Sequence, residues 1–260
     1  MNLPNFLIIG ANKAGTSSLS YYCGQHPDIF ICPVKEPMFF TSSRVGVRRG
    51  GETTLLEPYF CFTLSEYIEL FSGTDKPLRG EASTAYLVNP NCALWIKKIL
   101  PDVKLIAVLR NPLDRAFSAY KMYHGRKVEK RTFEEAVLHE LKFGTNGIQQ
   151  GQHYLKAGLY GSQLKIFKKY FPDEQLFIGD YEKLNRDSIG FLKDVFNFLG
   201  VAPFVPPKLD RVNTTKDQYA GGEDIPKFNL EIREKMKKYF ESDINLLQTY
   251  TNFDVLHWLA

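Results

Sequence analysis

With 260 residues, the chain is long enough for one large α/β domain or two small ones. Hydrophobic residues make up 44% of it and charged residues 24%, a balance that excludes an intrinsically disordered chain. The formal net charge of +4 is too small for a protein that neutralises many nucleic-acid phosphates, so no nucleic-acid partner is expected. It fits a locally basic site for a small anionic ligand.

The cysteine pattern and the hydropathy of the chain indicate the cellular compartment in which the protein is expected. The four cysteines, Cys23, Cys32, Cys61 and Cys92, contain no CxxC pair, which favours free thiols in a reducing compartment. The first nine residues lack the basic region and long apolar stretch of a secretion signal. No apolar run approaches the ~18 residues of a membrane span. We therefore expect a cytoplasmic protein without a membrane span.

Three short apolar runs have the pattern of buried parallel strands, and each is followed by a polar or glycine-containing turn. These runs are residues 6–9, 104–109 and 175–178. Helical patterns lie between them. Residues 16–23 follow the first run, and Thr132 with Glu135 forms a capping box that predicts a helix over 133–143.

A later apolar stripe, Ile189, Leu192, Phe196 and Leu199, predicts one buried face of a further helix. Strands that alternate with helices indicate an α/β fold with a central, mainly parallel sheet flanked by helices. We expect a single domain over residues 1–260. In such sheets the loops at the carboxyl ends of the strands carry the ligands.

The first of these loops, residues 10–15, has the composition of a phosphate-binding turn. Its flanking glycines let backbone N–H groups, and the positive end of the following helix, point at an anion. The spacing is similar to the Walker A pattern, but Thr16 stands where the Walker lysine would be, and Lys13 precedes Gly15 by two residues. Lys13 is better placed for a diphosphate-like group than for a triphosphate. A plain strand–turn–helix with a solvated lysine is the structural alternative.

A second candidate element follows the central strand. Arg110 comes directly after the strand, Pro112 suits the first turn of a helix, and Ser118 lies about two turns into that helix. A guanidinium and a hydroxyl that converge there could hold a second phosphate. The structural alternative is an arginine that pairs with Asp114 and a serine packed within the helix.

Together, the two motifs resemble those of the sulfotransferases that use 3′-phosphoadenosine 5′-phosphosulfate (PAPS). In that family the first loop binds the 5′-phosphosulfate, the Arg…Ser element binds the 3′-phosphate, and a late loop, similar to residues 213–216 here, closes over the nucleotide. The resemblance implies the P-loop-like sulfotransferase fold, PAPS as sulfuryl donor, 3′-phosphoadenosine 5′-phosphate (PAP) as product, and no metal. The implied nucleotide-binding residues are Lys13, Ala14, Gly15, Thr16, Ser17, Ser18, Arg110, Ser118 and Lys216.

Residues 35–40 (KEPMFF) resemble the acidic residue and paired phenylalanines of heparan-type glucosaminyl sulfotransferases. The match implies that Glu36 is the general base, and its apolar neighbours would raise its pKa. Lys13 would stabilise charge on the leaving phosphate. Cytosolic small-molecule sulfotransferases use a histidine base instead, so two histidines are rival candidates. Residues assigned to acceptor binding are Tyr86, His124, His153 and Tyr160.

The chain departs from the glycan enzymes in two places. Ala82 replaces the lysine that follows the glutamate of their Glu-Lys-Thr-Pro-Ala-Tyr stretch, and no cysteine follows Cys92 to form their late-loop disulfide. The acceptor hydroxyl stays open among a carbohydrate, a lipid or small-metabolite alcohol, and a β-hydroxyacyl chain tethered to a carrier protein, the last because polyketide-associated sulfotransferase domains share these motifs. A basic run over residues 121–131 is typical of a solvated face, although it could attract an anionic acceptor or an acidic carrier protein.

Two other functions compete with sulfuryl transfer. A P-loop nucleotide kinase is disfavoured by Thr16 at the Walker lysine position and by the lack of a clear Mg²⁺-binding aspartate after a strand. A catalytically silent nucleotide-binding module is disfavoured because Lys13, Glu36, Arg110 and Ser118 are all retained. No oligomeric state follows from the sequence.

Overall fold

The computed structural model describes residues 2–41, 63–146, 152–210 and 229–260. In this part of the chain, five strands form one parallel sheet in the order β2-β3-β1-β4-β5. The strands are β1 (Phe6–Gly10), β2 (Ile29–Ile31), β3 (Leu78–Ala82), β4 (Lys104–Leu109) and β5 (Leu176–Asp180). The adjacent strands β1 and β4 are almost entirely buried, as their apolar sequences require. The α/β class with a parallel sheet is therefore confirmed.

Helices occupy most of the remaining described chain. They are α1 (Thr16–Gly24), α2 (Leu64–Glu69), α3 (Ala85–Val88), α4 (Cys92–Ile99), α5 (Pro112–Gly125), α6 (Phe133–Phe143), α7 (Tyr160–Phe167), α8 (Tyr181–Arg186), α9 (Ser188–Leu199) and α10 (Leu230–Gln248). Short 3-10 turns lie at Phe39–Thr41, Lys156–Gly158, Asp173–Gln175 and Leu256–Leu259. None of these described helices is long and apolar enough to cross a lipid bilayer.

The chain divides into two compact units that interleave along the sequence. Unit 1 contains the whole sheet with α1–α4, α8 and α9, and it comprises Met1–Ala11, Gly15–Leu109 and Ile166–Asp210. Unit 2 contains α5, α6, α10 and most of α7, and it comprises Asn12–Ala14, Arg110–Lys165 and Arg211–Ala260. The single domain over residues 1–260 stays a prediction.

In unit 1, helices pack directly on the strands of the sheet. Helix α1 contacts β2 and β3, α3 contacts β1, and α8 and α9 contact β5. Strand β5 starts one residue later than predicted and includes Gly179 and Asp180, so the predicted turn at these two residues is wrong. Both residues continue the strand because they pair with Val108 and Leu109 of β4. The Asp180 carboxylate then caps α8, since it accepts hydrogen bonds from the Glu182 and Lys183 N–H groups at 2.8 and 3.3 Å. Strand and helix thus join without an intervening loop.

The predicted capping box forms at the start of α6. The Thr132 hydroxyl accepts from the Glu135 N–H at 3.2 Å, and the Glu135 carboxylate accepts from the Thr132 N–H at 2.8 Å. The stripe on α9 is buried at three of its four positions. Ile189 is 49% exposed, so its predicted burial is wrong. It lies in the first turn, whereas the helix packs along its later turns.

In unit 2, a carboxylate from α10 holds the beginning of α7. Asp243 is 5% exposed and accepts three hydrogen bonds, from the Gly161 N–H, the Ser162 N–H and the Ser162 hydroxyl, at 2.8, 2.8 and 2.6 Å. A Cβ atom at Gly161 would lie 2.4 Å from the Asp243 carbonyl oxygen, so only glycine allows this approach. The carboxylate therefore replaces the intrahelical acceptors that the first N–H groups of α7 lack.

Candidate active site

The predicted phosphate loop leaves the carboxyl end of β1 and ends where α1 begins. Gly15 is the residue before α1 and has φ +79°, a left-handed conformation that favours glycine. A Cβ there would lie 3.0 Å from Leu184 and 3.2 Å from Tyr181 of α8, so a side chain has neither the conformation nor the space. Because the first N–H groups of a helix have no intrahelical acceptor, this end of α1 suits an anion.

Lys13 has a backbone conformation that is uncommon for a residue with a side chain, with φ +69°. It is half-buried, and its Nζ lies 3.7 Å from the Met122 Sδ of α5. Its carbonyl oxygen accepts a hydrogen bond from the Arg110 guanidinium at 3.2 Å. Unit 2 therefore brings together two residues that are 97 positions apart in the chain and were both assigned to the nucleotide.

Arg110 comes directly after β4, and α5 then begins as the sequence predicts. Pro112 is the first residue of α5, and the Asn111 side chain accepts from the Leu113 N–H at 3.0 Å as an N-cap. Ser118 is 6% exposed in the second turn of this helix.

Lys121, which belongs to the basic run over residues 121–131, is a further candidate anion-binding residue. It lies one turn after Ser118 on α5, and its Nζ lies 5.1 Å from the centroid of the Phe117 ring. Burial lowers its pKa, and the positive charge of Arg110 lowers that pKa further, although the negative charge of Asp114 opposes the shift. Two cations that disfavour each other in this way form a region that an anion would stabilise. The spacing of three residues from Ser118 was the available signal.

Thr84, two residues after the end of β3, holds the Glu36 side chain of unit 1. The Glu36 carboxylate accepts from the Thr84 N–H at 2.7 Å and from the Thr84 hydroxyl at 3.0 Å. Burial raises the pKa of Glu36, although the hydrogen bonds from Thr84 and the charge of Lys35 oppose that shift. A half-buried carboxylate with a raised pKa is chemically suited to accept a proton.

Glu81 of β3 carries a second carboxylate, to which the sequence assigns no role. It is completely buried, and it accepts hydrogen bonds from the Tyr86, Ser83 and Tyr67 hydroxyls at 2.6, 2.8 and 3.1 Å. Burial raises its pKa to about 7, against the opposing effect of these hydrogen bonds. Tyr86 is itself fully buried in this network, and its predicted contact with an acceptor stays a prediction.

The remaining acceptor candidates lie in unit 2. The His124 Nδ1 lies 3.4 Å from the Tyr120 hydroxyl and 3.2 Å from the Glu129 carbonyl oxygen, and its ring stacks on that of Tyr120. His153 is half-buried. Tyr160 is fully buried, and burial raises its pKa to about 12. Acceptor contacts of these three residues stay predictions.

The predicted site residues are thus distributed over both units. Unit 1 carries Gly15, Thr16, Ser17, Ser18, Glu36 and Tyr86. Unit 2 carries Lys13, Ala14, Arg110, Ser118, His124, His153 and Tyr160. Lys216 lies outside the described residues.

The family model named sulfotransferase domain matches residues 3–242. A solved sulfotransferase from Alicyclobacillus acidocaldarius is 32% identical, with a TM-score of 0.85 and a match that covers 99% of each chain. The mouse sulfotransferase SULT7A1, solved in complex with PAP, is 15% identical with a TM-score of 0.57, and the match covers 100% of this chain and 88% of that one. At that identity it supports the fold alone.

Among the curated relatives, mouse heparan sulfate glucosamine 3-O-sulfotransferase 3B1 is 29% identical over 215 residues, which are 82% of this chain and 50% of that protein. The chain therefore spans about half the length of this relative. Because the family model matches most of the chain, and a bacterial sulfotransferase of 32% identity matches it almost from end to end, the protein belongs to the sulfotransferase family.

Proposed function

We propose that the protein transfers the sulfuryl group of PAPS to an acceptor hydroxyl. The observation that carries the proposal is the hydrogen bond from Arg110 to the carbonyl oxygen of Lys13 at 3.2 Å. It links the residue assigned to the 3′-phosphate with the loop assigned to the 5′-phosphosulfate. The choice of PAPS follows from membership of the sulfotransferase family together with these two elements.

In the proposed reaction, the acceptor oxygen attacks sulfur while the bond from sulfur to the bridging oxygen of the 5′-phosphate breaks. The acceptor proton passes to the Glu36 carboxylate, and PAP leaves with the electron pair of the broken bond. Lys13 and the first N–H groups of α1 stabilise the charge that develops on the leaving phosphate. Like phosphoryl transfer, this chemistry depends mainly on in-line positioning and charge stabilisation.

The acceptor is proposed only as a class of hydroxyl compounds. The name of the heparan sulfate relative supports a glucosamine hydroxyl, and 29% identity makes a carbohydrate one of the candidates. A long acidic glycan is disfavoured as the acceptor, because Ala82 stands where the glycan enzymes have a lysine. A lipid or small-metabolite alcohol and a carrier-tethered β-hydroxyacyl chain are the other candidates.

A cytoplasmic location is proposed on the state of the thiols. Cys23, Cys32 and Cys92 are free and buried in the described part of the chain. Burial raises the pKa of Cys23 to about 12, so this thiol stays protonated and unreactive. Structural thiols of this kind are typical of proteins that fold in a reducing compartment.

Binding of PAP should depend on its 3′-phosphate. We expect PAP to raise the melting temperature far more than AMP, ADP or ATP, because only PAP engages Arg110 and Ser118. Arg110→Ala should remove most of the difference, since the loss of one charged hydrogen-bonding partner costs about 1.5–3 kcal/mol, or roughly 10- to 100-fold in Kd. Calorimetric titration of the wild type and of Arg110→Ala with PAP, ADP and ATP measures the Kd values. Equal affinities for PAP and ATP would favour the kinase alternative.

Transfer from PAPS should persist in EDTA. Lys13 and the N-terminal end of α1 supply positive charge of the kind that Mg²⁺ supplies in phosphoryl transfer. We expect the rate of PAP release from PAPS to change by less than about twofold when EDTA replaces added Mg²⁺, since no step in the proposal uses a divalent ion. A strict requirement for a divalent ion would contradict this assignment of charge stabilisation.

A further inference from the structure

The segment that carries Glu36 has an unusual backbone. Glu36 has φ +52° and Met38 has φ +54°, so two residues with side chains adopt the left-handed conformation within three positions. Each such residue costs free energy, and the conformation persists only where surrounding contacts offset that cost. The segment 36–38 must therefore be held from outside.

Two consecutive residues after β3 hold this segment at both ends. Thr84 donates two hydrogen bonds to the Glu36 carboxylate, at 2.7 and 3.0 Å. The Ser83 hydroxyl accepts a hydrogen bond from the Met38 N–H at 2.9 Å. The orientation of the Glu36 side chain thus depends on both the Thr84 and the Ser83 contact.

The direction of the Ser83 hydroxyl is set by Glu81. The hydroxyl has one proton, which it donates to the Glu81 Oε2 at 2.8 Å, and its lone pairs are then directed toward Met38. Glu81 Oε1 is engaged by the Tyr67 and Tyr86 hydroxyls at 3.1 and 2.6 Å. Three donors therefore fix the Glu81 carboxylate, and Ser83 is fully buried beside it.

We propose that Glu81 is a positioning residue for sulfuryl transfer, which acts through Ser83 and Met38 to hold the Glu36 carboxylate in its reactive orientation. This inference rests on the proposed function. In this role Glu81 contacts neither PAPS nor the sulfuryl acceptor. By accepting the hydroxyl proton of Ser83, Glu81 orients that hydroxyl, which in turn keeps the segment 36–38 in its left-handed conformation.

Glu81→Gln is the sharpest test, because it preserves size while replacing one acceptor oxygen with an NH₂ donor. The amide oxygen can still accept from the two tyrosines, but the NH₂ group then faces Ser83, whose hydroxyl must turn away from its present direction. We expect kcat to fall roughly 10- to 100-fold, the size of effect caused by a displacement of about 1 Å at a reacting group. The Kd for PAP should stay within about twofold, since Glu81 is assigned no contact with the nucleotide.

A double-mutant cycle identifies the residue through which Glu81 acts. If Glu81 positions Glu36, Glu81→Gln should slow wild type but have little further effect in a Glu36→Gln background, because the group that it positions is then already disabled. Ser83→Ala should give the same pattern, and it provides a second variant if Glu81→Gln folds poorly. Turnover is measured as PAP released from PAPS, with a heparan sulfate oligosaccharide as acceptor and with water alone.

Asp243→Asn is the matched control, since Asp243 is also a buried carboxylate that accepts three hydrogen bonds. It should lower the melting temperature without a selective loss of kcat. A wild-type kcat in both Glu81→Gln and Ser83→Ala, or equal losses in the wild-type and Glu36→Gln backgrounds, would overturn the positioning role alone. Wild-type turnover in Glu36→Gln itself would overturn the base assignment, and the positioning role with it.

Discussion

Glu36→Gln should lower turnover by roughly 10²- to 10⁴-fold while the affinity for PAP stays nearly unchanged. The substitution keeps the shape of the side chain but removes the oxygen that takes the acceptor proton. Because burial raises the pKa of Glu36, the wild-type rate should fall as pH drops through a value above that of an ordinary glutamate. Since the base is active only when ionised, the variant should lose this acidic limb. Steady-state rates of PAP release across pH measure both effects.

An exposed carboxylate of the same unit provides the control for Glu36. Glu69→Gln removes the same charge at the surface of α2 and should leave turnover and the pH profile unchanged. If Glu36→Gln keeps near-normal turnover while His124→Ala or His153→Ala is inactive, the base is a histidine. The protein would then be chemically closer to the small-molecule sulfotransferases than to the glycan enzymes.

Lys13→Ala should lower turnover by roughly 10²- to 10³-fold, the effect of losing one donor to a charge that develops in the transition state. Some loss of PAP affinity should accompany it, because the same ammonium also touches the ground-state phosphate. This combination separates Lys13 from Glu36, whose loss should affect turnover alone. Single-turnover rates and calorimetric Kd values distinguish the two patterns.

A surface lysine tests whether general charge explains the effect of Lys13. Lys98 of α4 is exposed, and its Nζ lies 4.9 Å from the centroid of the Trp95 ring. Lys98→Ala should leave turnover and PAP affinity at wild-type values. Equal losses in Lys13→Ala and Lys98→Ala would indicate long-range electrostatic attraction of the nucleotide instead of a local contact.

The fold could be predicted where local sequence and tertiary burial agree. Strands β1 and β4 are continuous apolar runs, and the capping box marks the start of α6 by its spacing alone. Strand β3 was not predicted, because Arg79, Gly80 and Glu81 lack the apolar pattern of a buried strand. Gly80 lies against the Phe6 ring and Glu81 against hydroxyls from other elements, so the partners that stabilise β3 exist only in the folded chain.

The candidate site, like the fold, could be predicted from the sequence only in part. The sequence predicts roles for Lys13, Arg110 and Glu36, because each lies in a short motif that resembles one of a known family. The proposed roles of Glu81 and Lys121 could not be predicted from the sequence, because both depend on contacts that form in the folded chain. The three donors to Glu81 come from α2, α3 and the turn after β3, and Lys121 gains its significance from Arg110 in the folded chain. Motif spacing carries information on residues that touch a ligand, but much less on those that position them.

Direct detection of the transferred group tests the central claim most directly. The protein is incubated with PAPS and with each of three hydroxyl probes: a heparan sulfate oligosaccharide, a long-chain primary alcohol and a pantetheine-bound β-hydroxyacyl chain. Mass spectrometry should find one probe that gains a single sulfuryl group, in an amount equal to the PAP released, and Glu36→Gln should suppress that gain. A parallel incubation replaces PAPS with ATP. Transfer of a phosphoryl group from ATP to the same probes, with no gain of sulfur from PAPS, would contradict the account.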